Sequence, residues 1–536
     1  MHLQIFFKHK ANQQALVTDA IIIGSGHNSL VCAAHLATKG WSVAVYEQAA
    51  VPGGAIKTAE LTLPGFRHDW AAMNLSLFAG SQFSKTYGDV LSSHGLDYVP
   101  AQNPFASVFP DGKWFGVSAD PVATAERVDD FSPADARAWK EMSASFFSDA
   151  EPIFDLLGSP VNKRSIAKLA LKTLPKLGIN RTLDLARFMM MSPRGWLDET
   201  FESNHVKATL AAWGMHLDFA PDIAGGALFP YLEAMAGQAF GMVLGKGGAN
   251  TVTNALKAMI DANGGTIECG ANVTRVLHEN GRARGIVLDD GRQVMAKKAV
   301  IANVAPRALA RLTGETGNKV YDKGLSKFRH APGTMMIHLA MEDLPDWTAG
   351  PELRDFAYVH IAPSMDYMAR TYQEAQAGLL PKEPVIVCGQ PTTVDPSRAP
   401  EGKHVLWLQV RMAPGEIRGD AAGEIAAMNW QDAAEPFAER ALDILETYAP
   451  GTRAKIIGKH IVSPMDLEAD NPNLVGGDQV CGSHHLNQHF LFRPFRGHAD
   501  GNTPIANLHH TGAAVWPGAG TGAGPGFLLA QKLAGK

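Results

Sequence analysis

The stretch from residue 18 to residue 47 constrains the fold of this 536-residue chain more than any other. Residues 20–23 form a short apolar run of the kind that makes a buried parallel strand. Gly24 and Gly26 then allow a tight turn in which backbone N–H groups can approach a pyrophosphate. The following helix aims its positive N-terminus at the same point. Leu30, Ala33, Ala34 and Ala37 recur at helical spacing, small enough for the helix to lie close to a sheet. Gly40 is placed as a helix stop. Val43 and Val45 restart a strand, and Glu47 ends it where a carboxylate can accept hydrogen bonds from an adenosine ribose. Strand, glycine turn, helix, strand and acid in that order predict a dinucleotide-binding βαβ unit. Glu47 in place of a basic residue argues against a 2′-phosphate. The third fingerprint position, usually glycine, is Ser29, which predicts slightly looser packing of helix on strand.

The length allows two or three domains, and a net charge of -5 gives no basic signature for nucleic acid. Cys32, Cys269, Cys388 and Cys481 are far apart, with no C-x-x-C pair. They suggest neither a metal site nor a dithiol redox centre, and they fit a reducing, cytoplasmic setting rather than secretion. Cys32 reads as a packing residue of the first helix. The most apolar window, 223–244, is broken by Pro230, Glu233 and several glycines, so no transmembrane helix is expected. Residues 1–17 read as a tail before the first strand.

The same logic returns near residue 245. Gly245, Gly247 and Gly248 precede a helix with Val252, Leu256, Met259 and Ile260 on one face, ended by Gly264 and Gly265. Short strands are expected at 266–269, 273–277, 283–288, 293–296 and 299–302, with turns at Asn280-Gly281 and Asp290-Gly291. Towards the end, 504–508 leads to Gly512 and a glycine-dense loop, 516–526, that opens an apolar helix at 527–533. Such a loop is a second anion-tolerant backbone cradle.

Together these residues resemble the phytoene desaturase-like FAD-dependent oxidoreductases, near the group of pyridine nucleotide-disulfide oxidoreductase domain-containing protein 2. The resemblance rests on 24–30, Val51-Pro-Gly-Gly-Ala55, Pro64-Gly-Phe66, Phe492-Arg-Pro494, Pro517-Gly-x-Gly520, Gly524-Pro-Gly526 and the strand ending Ala302-Asn303. It implies an α/β fold, a Rossmann-type, glutathione-reductase-like FAD-binding domain with an inserted α+β substrate domain. The first would comprise 18–75, 240–330 and 466–536, and the second 76–239 and 331–465. FAD would be held by Gly24, Gly26, Asn28, Ser29, Glu47, Gly53 and Gly54. The Val273 backbone would hold the adenine, and Gly512, Pro525 and Gly526 would line the flavin end. Trp516 and His509-His510 depart from the usual pattern beside the flavin, and the missing cysteine pair argues against disulfide chemistry.

The substrate portions are rich in Phe, Met, Leu and Trp, which suits a small hydrophobic substrate. Residues 163–194 hold eight basic side chains against one acid, Asp184, with Pro175 breaking any single helix. This stretch is compatible with peripheral contact on an anionic membrane or with a solvated helical surface. Catalytic side chains are weakly marked. His484, His485 and Gln488 precede Phe492-Arg-Pro494, His68 and Asp69 follow Pro64-Gly-Phe66, and Arg493 could pair with flavin, a substrate carboxylate or a surface acid. The leading expectation is FAD-dependent desaturation of a C–C bond in a hydrophobic substrate by hydride transfer. A flavin amine oxidase or a C=C saturase is the alternative, and a non-catalytic flavin-binding scaffold is a second one. Oxygen, quinone or a protein remain open as electron acceptor.

Overall fold

The computed structural model describes residues 16–535. Two seven-stranded sheets organise the chain. In the first, the strand Leu16–Ile23 lies between Val43–Glu47 and Gln293–Ala302, parallel to both, and Thr266–Cys269 extends the sheet beyond Val43–Glu47. Ile21 and Ile22 are completely buried. Full burial of such side chains contributes roughly 1.5–3 kcal/mol each. The helix His27–Thr38 packs on this sheet through Ala33, Ala34 and Ala37, beside Asn250–Ala262 and Gly524–Ala534. The terminal helix thus begins inside the glycine-dense loop, three residues before the expected start.

The strand Gln293–Ala302 corrects the expectation of two separate strands. Lys297 and Lys298 interrupt the apolar pattern, yet the strand runs straight through them. Lys298 Nζ lies 3.4 Å from Asp19 Oδ2 and 4.4 Å from the Trp41 ring centroid, so its charge is accommodated outside the sheet. The first half pairs antiparallel with Arg282–Leu288, and the second half pairs parallel with Leu508–His510. The expected tail also ends earlier than residue 17, because Leu16 and Val17 already pair with Val294 and Met295. The rest of that tail lies outside the described residues.

The second sheet runs in the order Ile456–Val462, Gly333–Met341, His404–Ala413, Val385–Gly389, Tyr358–Ile361, Phe105–Val108 and Trp114–Val117. Strand alternation gives each face its own role. Leu406, Leu408 and Val410 join Met335, Ile337 and Leu339 against the helix Trp430–Tyr448. Trp407, Gln409 and Arg411 point the other way, towards the nucleotide domain and the helices Asn204–Gly214 and Leu228–Phe240.

The basic stretch, Lys163–Met190, is two helical segments meeting at Gly178 (φ 74°), so the expected interruption falls there and not at Pro175. Its cations largely face acids of neighbouring helices. Lys176 pairs with Glu151 at 2.8 Å, Lys172 with Asp155, Arg181 with Asp149, and Arg187 with Glu199 at 2.5 Å. No helix among the described residues is long and apolar enough to cross a membrane.

Candidate functional site

The turn after the first strand is built for close approach. Gly24 (φ 85°) brings its Cα against the main chain, where a Cβ would lie 3.1 Å from Asn303 O. Gly53 N donates to Ser25 O at 3.1 Å, and a Cβ on Gly54 would lie 3.1 Å from Gly26 Cα. The second glycine pair therefore seats directly on the first. From the other chain end, a Cβ on Gly526 would fall 2.0 Å from Asn28 O, and one on Gly512 1.9 Å from Asn303 Oδ1. Four segments remote in sequence converge on one backbone cradle at a helix N-terminus.

Glu47 orders this cradle. Its Oε2 accepts from Ser25 N at 2.7 Å and Ser25 Oγ at 2.8 Å, and its Oε1 from Ala49 N at 2.8 Å. Ala271 N donates to Glu47 O at 2.8 Å, which brings the segment leading to Val273 alongside the acid. Ser29 explains its own departure from glycine. It is buried, and its Oγ accepts from Asn303 Nδ2 at 2.9 Å, locking the helix to the end of the long strand. Asn28 Oδ1 accepts from Gly526 N at 3.4 Å. These residues fit FAD: bare glycine backbone for the pyrophosphate and an acid at the second strand's end.

The cradle opens into a cavity that continues to the inner face of the second sheet. Its walls include Gly26, Asn28, Gly54 and Asn303 on one side, and Trp213, Phe229, Glu233, Tyr358, Trp407 and Gln409 on the other. Tyr358 and Trp407 stack, with ring centroids 5.8 Å apart and planes 17° from parallel. Trp407 is fixed by a hydrogen bond from its Nε1 to Asp69 O at 2.8 Å. Arg411 donates to Met215 O at 2.8 Å and Thr334 Oγ1 at 3.1 Å, and burial lowers its pKa to about 10. Gln409 donates to Gln479 at 2.6 Å, which leaves its own Oε1 without a partner among the described residues.

None of the expected catalytic candidates lines this cavity. His484 is buried, and its Nε2 accepts from Ala519 N at 3.1 Å, which requires the neutral ring. Burial holds its pKa well below the ordinary value, so it braces the glycine loop. His485 faces Asp218, 3.2 Å from Oδ2. Gln488 is consumed by main-chain groups, accepting from Arg329 N at 2.9 Å and donating to Arg329 O at 2.7 Å. Arg493 has neither a flavin-facing nor a surface role. It is fully buried and donates to carbonyls including Ala513 O at 2.9 Å and Ser483 O at 3.0 Å. Asp69 is locked in a buried ion pair with Arg398, and His68 Nε2 lies 2.8 Å from Thr62 Oγ1. Trp516 turns away, donating to Ser159 O at 2.9 Å, and His510 Nε2 lies 2.7 Å from Val304 O. All four cysteines are free thiols. Burial pushes the Cys32 thiol up to about 12.

Residues 22–89 match the family described as NAD(P)-binding Rossmann-like domain. The chain is 28% identical to pyridine nucleotide-disulfide oxidoreductase domain-containing protein 2 of Rattus norvegicus, over 94% of this chain and 90% of that protein. This is an FAD/NAD(P)-binding Rossmann protein related to the phytoene desaturase-like oxidoreductases. A phytoene desaturase (neurosporene-forming) of Cereibacter sphaeroides is 25% identical over 96% of this chain and 94% of its own length. Among solved structures, a redesigned putrescine oxidase shares the fold with a TM-score of 0.61 at 15% identity, covering 97% of this chain and 98% of that one. The Rossmann cradle and the inserted sheet domain therefore recur together in that solved fold.

The cavity wall was not visible as a motif, since it is assembled from strands and helices far apart in sequence. One signal was available: Glu233 is an acid inside the most apolar window of the chain.

Proposed function

We propose that the protein is an FAD-dependent oxidoreductase that oxidises a carbon–nitrogen bond of an amine. The observation that carries this reading is one continuous cavity shared by the glycine cradle and a wall that is aromatic and hydrogen-bonding. FAD, when bound, supplies a two-electron acceptor for the hydride. Gly24, Gly26, Asn28, Ser29, Glu47, Gly53, Gly54 and Gly526 would hold it. The protein's own task is then to orient a substrate carbon and to keep water away from it. Stacked Tyr358 and Trp407 offer π-faces that suit an amine in either protonation state. The free oxygen of Gln409 is an acceptor waiting for an N–H donor.

A second reading, desaturation of a C–C bond, draws support from the phytoene desaturase matched over nearly its full length and from the apolar residues Met73, Leu77, Leu217 and Leu474 in the same wall. One experiment separates them. The purified protein is loaded with FAD and titrated anaerobically with amines, polyenes and NADPH while the flavin bands are followed. Bleaching by amines supports the first reading, and bleaching by polyenes alone replaces it with the second. A protein that takes up no FAD overturns both.

A further inference from the structure

Glu233 sits on the helix Leu228–Phe240, one turn after Phe229, and both side chains line the cavity. The opposite face of that helix is anchored by Tyr231, whose ring packs against Phe188 at 5.4 Å and Phe146 and Trp196 at 6.0 Å. The position of Glu233 is therefore fixed by packing. Its carboxyl group has no hydrogen-bond or ion-pair partner among the described residues. The cation that shares the cavity, Arg411, is committed to Met215, Thr334 and Gln479 instead. Desolvation alone raises the Glu233 carboxyl to about 7. Glu233 is part-buried, and a carboxylate withdrawn from water without a partner is costly to keep.

We infer that Glu233 is the recognition site for a cationic ammonium group on the substrate, with the Tyr358–Trp407 stack and Trp213 as its aromatic surround. The geometry supplies the two parts such a cation needs. A carboxylate gives the opposite charge, and π-faces line the same cavity, with Trp213 and Tyr358 centroids 6.1 Å apart. The missing positive charge is the substrate's own. This inference rests on the amine reading of the site and deepens it by stating that the substrate enters charged and which side chain receives it.

The test uses hexyltrimethylammonium, a quaternary cation without an N–H bond or a nitrogen lone pair, against hexanol and hexanoate as neutral and anionic counterparts. Binding to the FAD-loaded protein is followed by tryptophan fluorescence and by perturbation of the flavin bands. The expected result is preference for the cation, weakened about tenfold or more in Glu233→Gln, which removes the attraction of unlike charges. Glu233→Asp, which keeps the charge, should fall between the two. Flavin content of each variant reports that the fold is intact. Equal binding of hexanol, preference for hexanoate, or an unchanged affinity in Glu233→Gln overturns the inference. A protein that takes up no FAD but still prefers the cation by tryptophan fluorescence keeps this inference while losing the oxidoreductase reading.

Discussion

Tyr358 and Trp407 belong to strands that do not touch, yet their rings stack at 5.8 Å. The residue between them in the cross-strand row is Gly389, which pairs with Tyr358 on one side and Trp407 on the other. Two strand spacings are about 9.6 Å. The rings close that gap only because Gly389 puts nothing between them. A single glycine thus converts two separate aromatics into one wall of the cavity.

That relationship makes Gly389 a sensitive position. A Cβ there would stand 3.0 Å from Trp407 Cε3 and 3.1 Å from Met73 Cε. Gly389→Val should open the stack, cost about 1–3 kcal/mol through overpacking, and raise KM for any substrate that bleaches the flavin. Flavin content should be unchanged, because the cradle lies on other elements. Urea unfolding and steady-state kinetics measure the two effects. A variant with normal KM would show that the stack does not contact substrate.

Asp69 and Arg398 make a second long-range tie, with both side chains fully buried. Asp69 Oδ1 also accepts from Ala249 N at 2.7 Å, and Arg398 donates to Gly245 O at 2.7 Å. The pair therefore fixes both ends of the glycine turn that starts the helix Asn250–Ala262. Asp69→Asn leaves the buried Arg398 guanidinium with Asp395 as its remaining carboxylate partner, 3.2 Å away, and should cost at most about 3–5 kcal/mol. The double variant Asp69→Asn/Arg398→Met should lose less than the sum of its single changes, because both remove the same Asp69–Arg398 contact. Urea midpoints of the four proteins supply the comparison.

Cofactor binding can be tested without any substrate. Glu47→Ala removes the acceptor of Ser25 N and of Ala49 N as well as the expected ribose contact. FAD affinity should fall about tenfold or more, read by titration of the desalted protein. Gly526→Ala should also release flavin, since its Cβ would overlap Asn28 O and push the terminal helix off the cradle. Gly88→Ala is a control. The glycine lies within the helix Gln82–Ser93 with nothing within 4 Å of an added Cβ. That change should stabilise by about 0.5–1 kcal/mol and leave flavin content alone.

The contrast between cradle and cavity explains what the sequence could reveal. Gly24, Gly26 and Glu47 lie within one βαβ unit, where local spacing dictates geometry, so the nucleotide fold was legible. Strand alternation was legible too, except at Lys297-Lys298, where a charge accommodated by Asp19 and the Trp41 ring imitated a break. Glu233, Tyr358 and Trp407 meet only through sheet order and helix packing, and no local pattern encodes that. His484, His485 and Gln488 were suggested by nearness to the terminal glycine loop along the chain. In space the loop is braced by His484 from behind, so the ring supports the cavity wall without forming its surface.

Glu233 also has a thermodynamic signature. Its carboxyl, raised to about 7 from the ordinary 4.5, holds a proton in the folded state that the unfolded chain releases. At this group the folded protein therefore binds more protons between those values, and the contribution of Glu233 to stability falls as pH rises through them. Below about 4.5 both states are protonated and nothing is lost. Above about 7 the cost is complete, on the order of 1–3 kcal/mol after allowing for contact with cavity water. In the folded state the groups around Glu233 do not titrate in this window, and their unfolded-state titration is the same in the variant. Arg411 stays cationic up to about 10, burial holds His216 well below its ordinary value, and burial pushes the Tyr358 phenol upward. Glu233→Gln should accordingly match the parent protein in stability at pH 4.5 and exceed it at pH 8. Urea unfolding at the two pH values gives the answer directly. A variant no more stable at pH 8 would mean that the carboxylate already has a partner in solution.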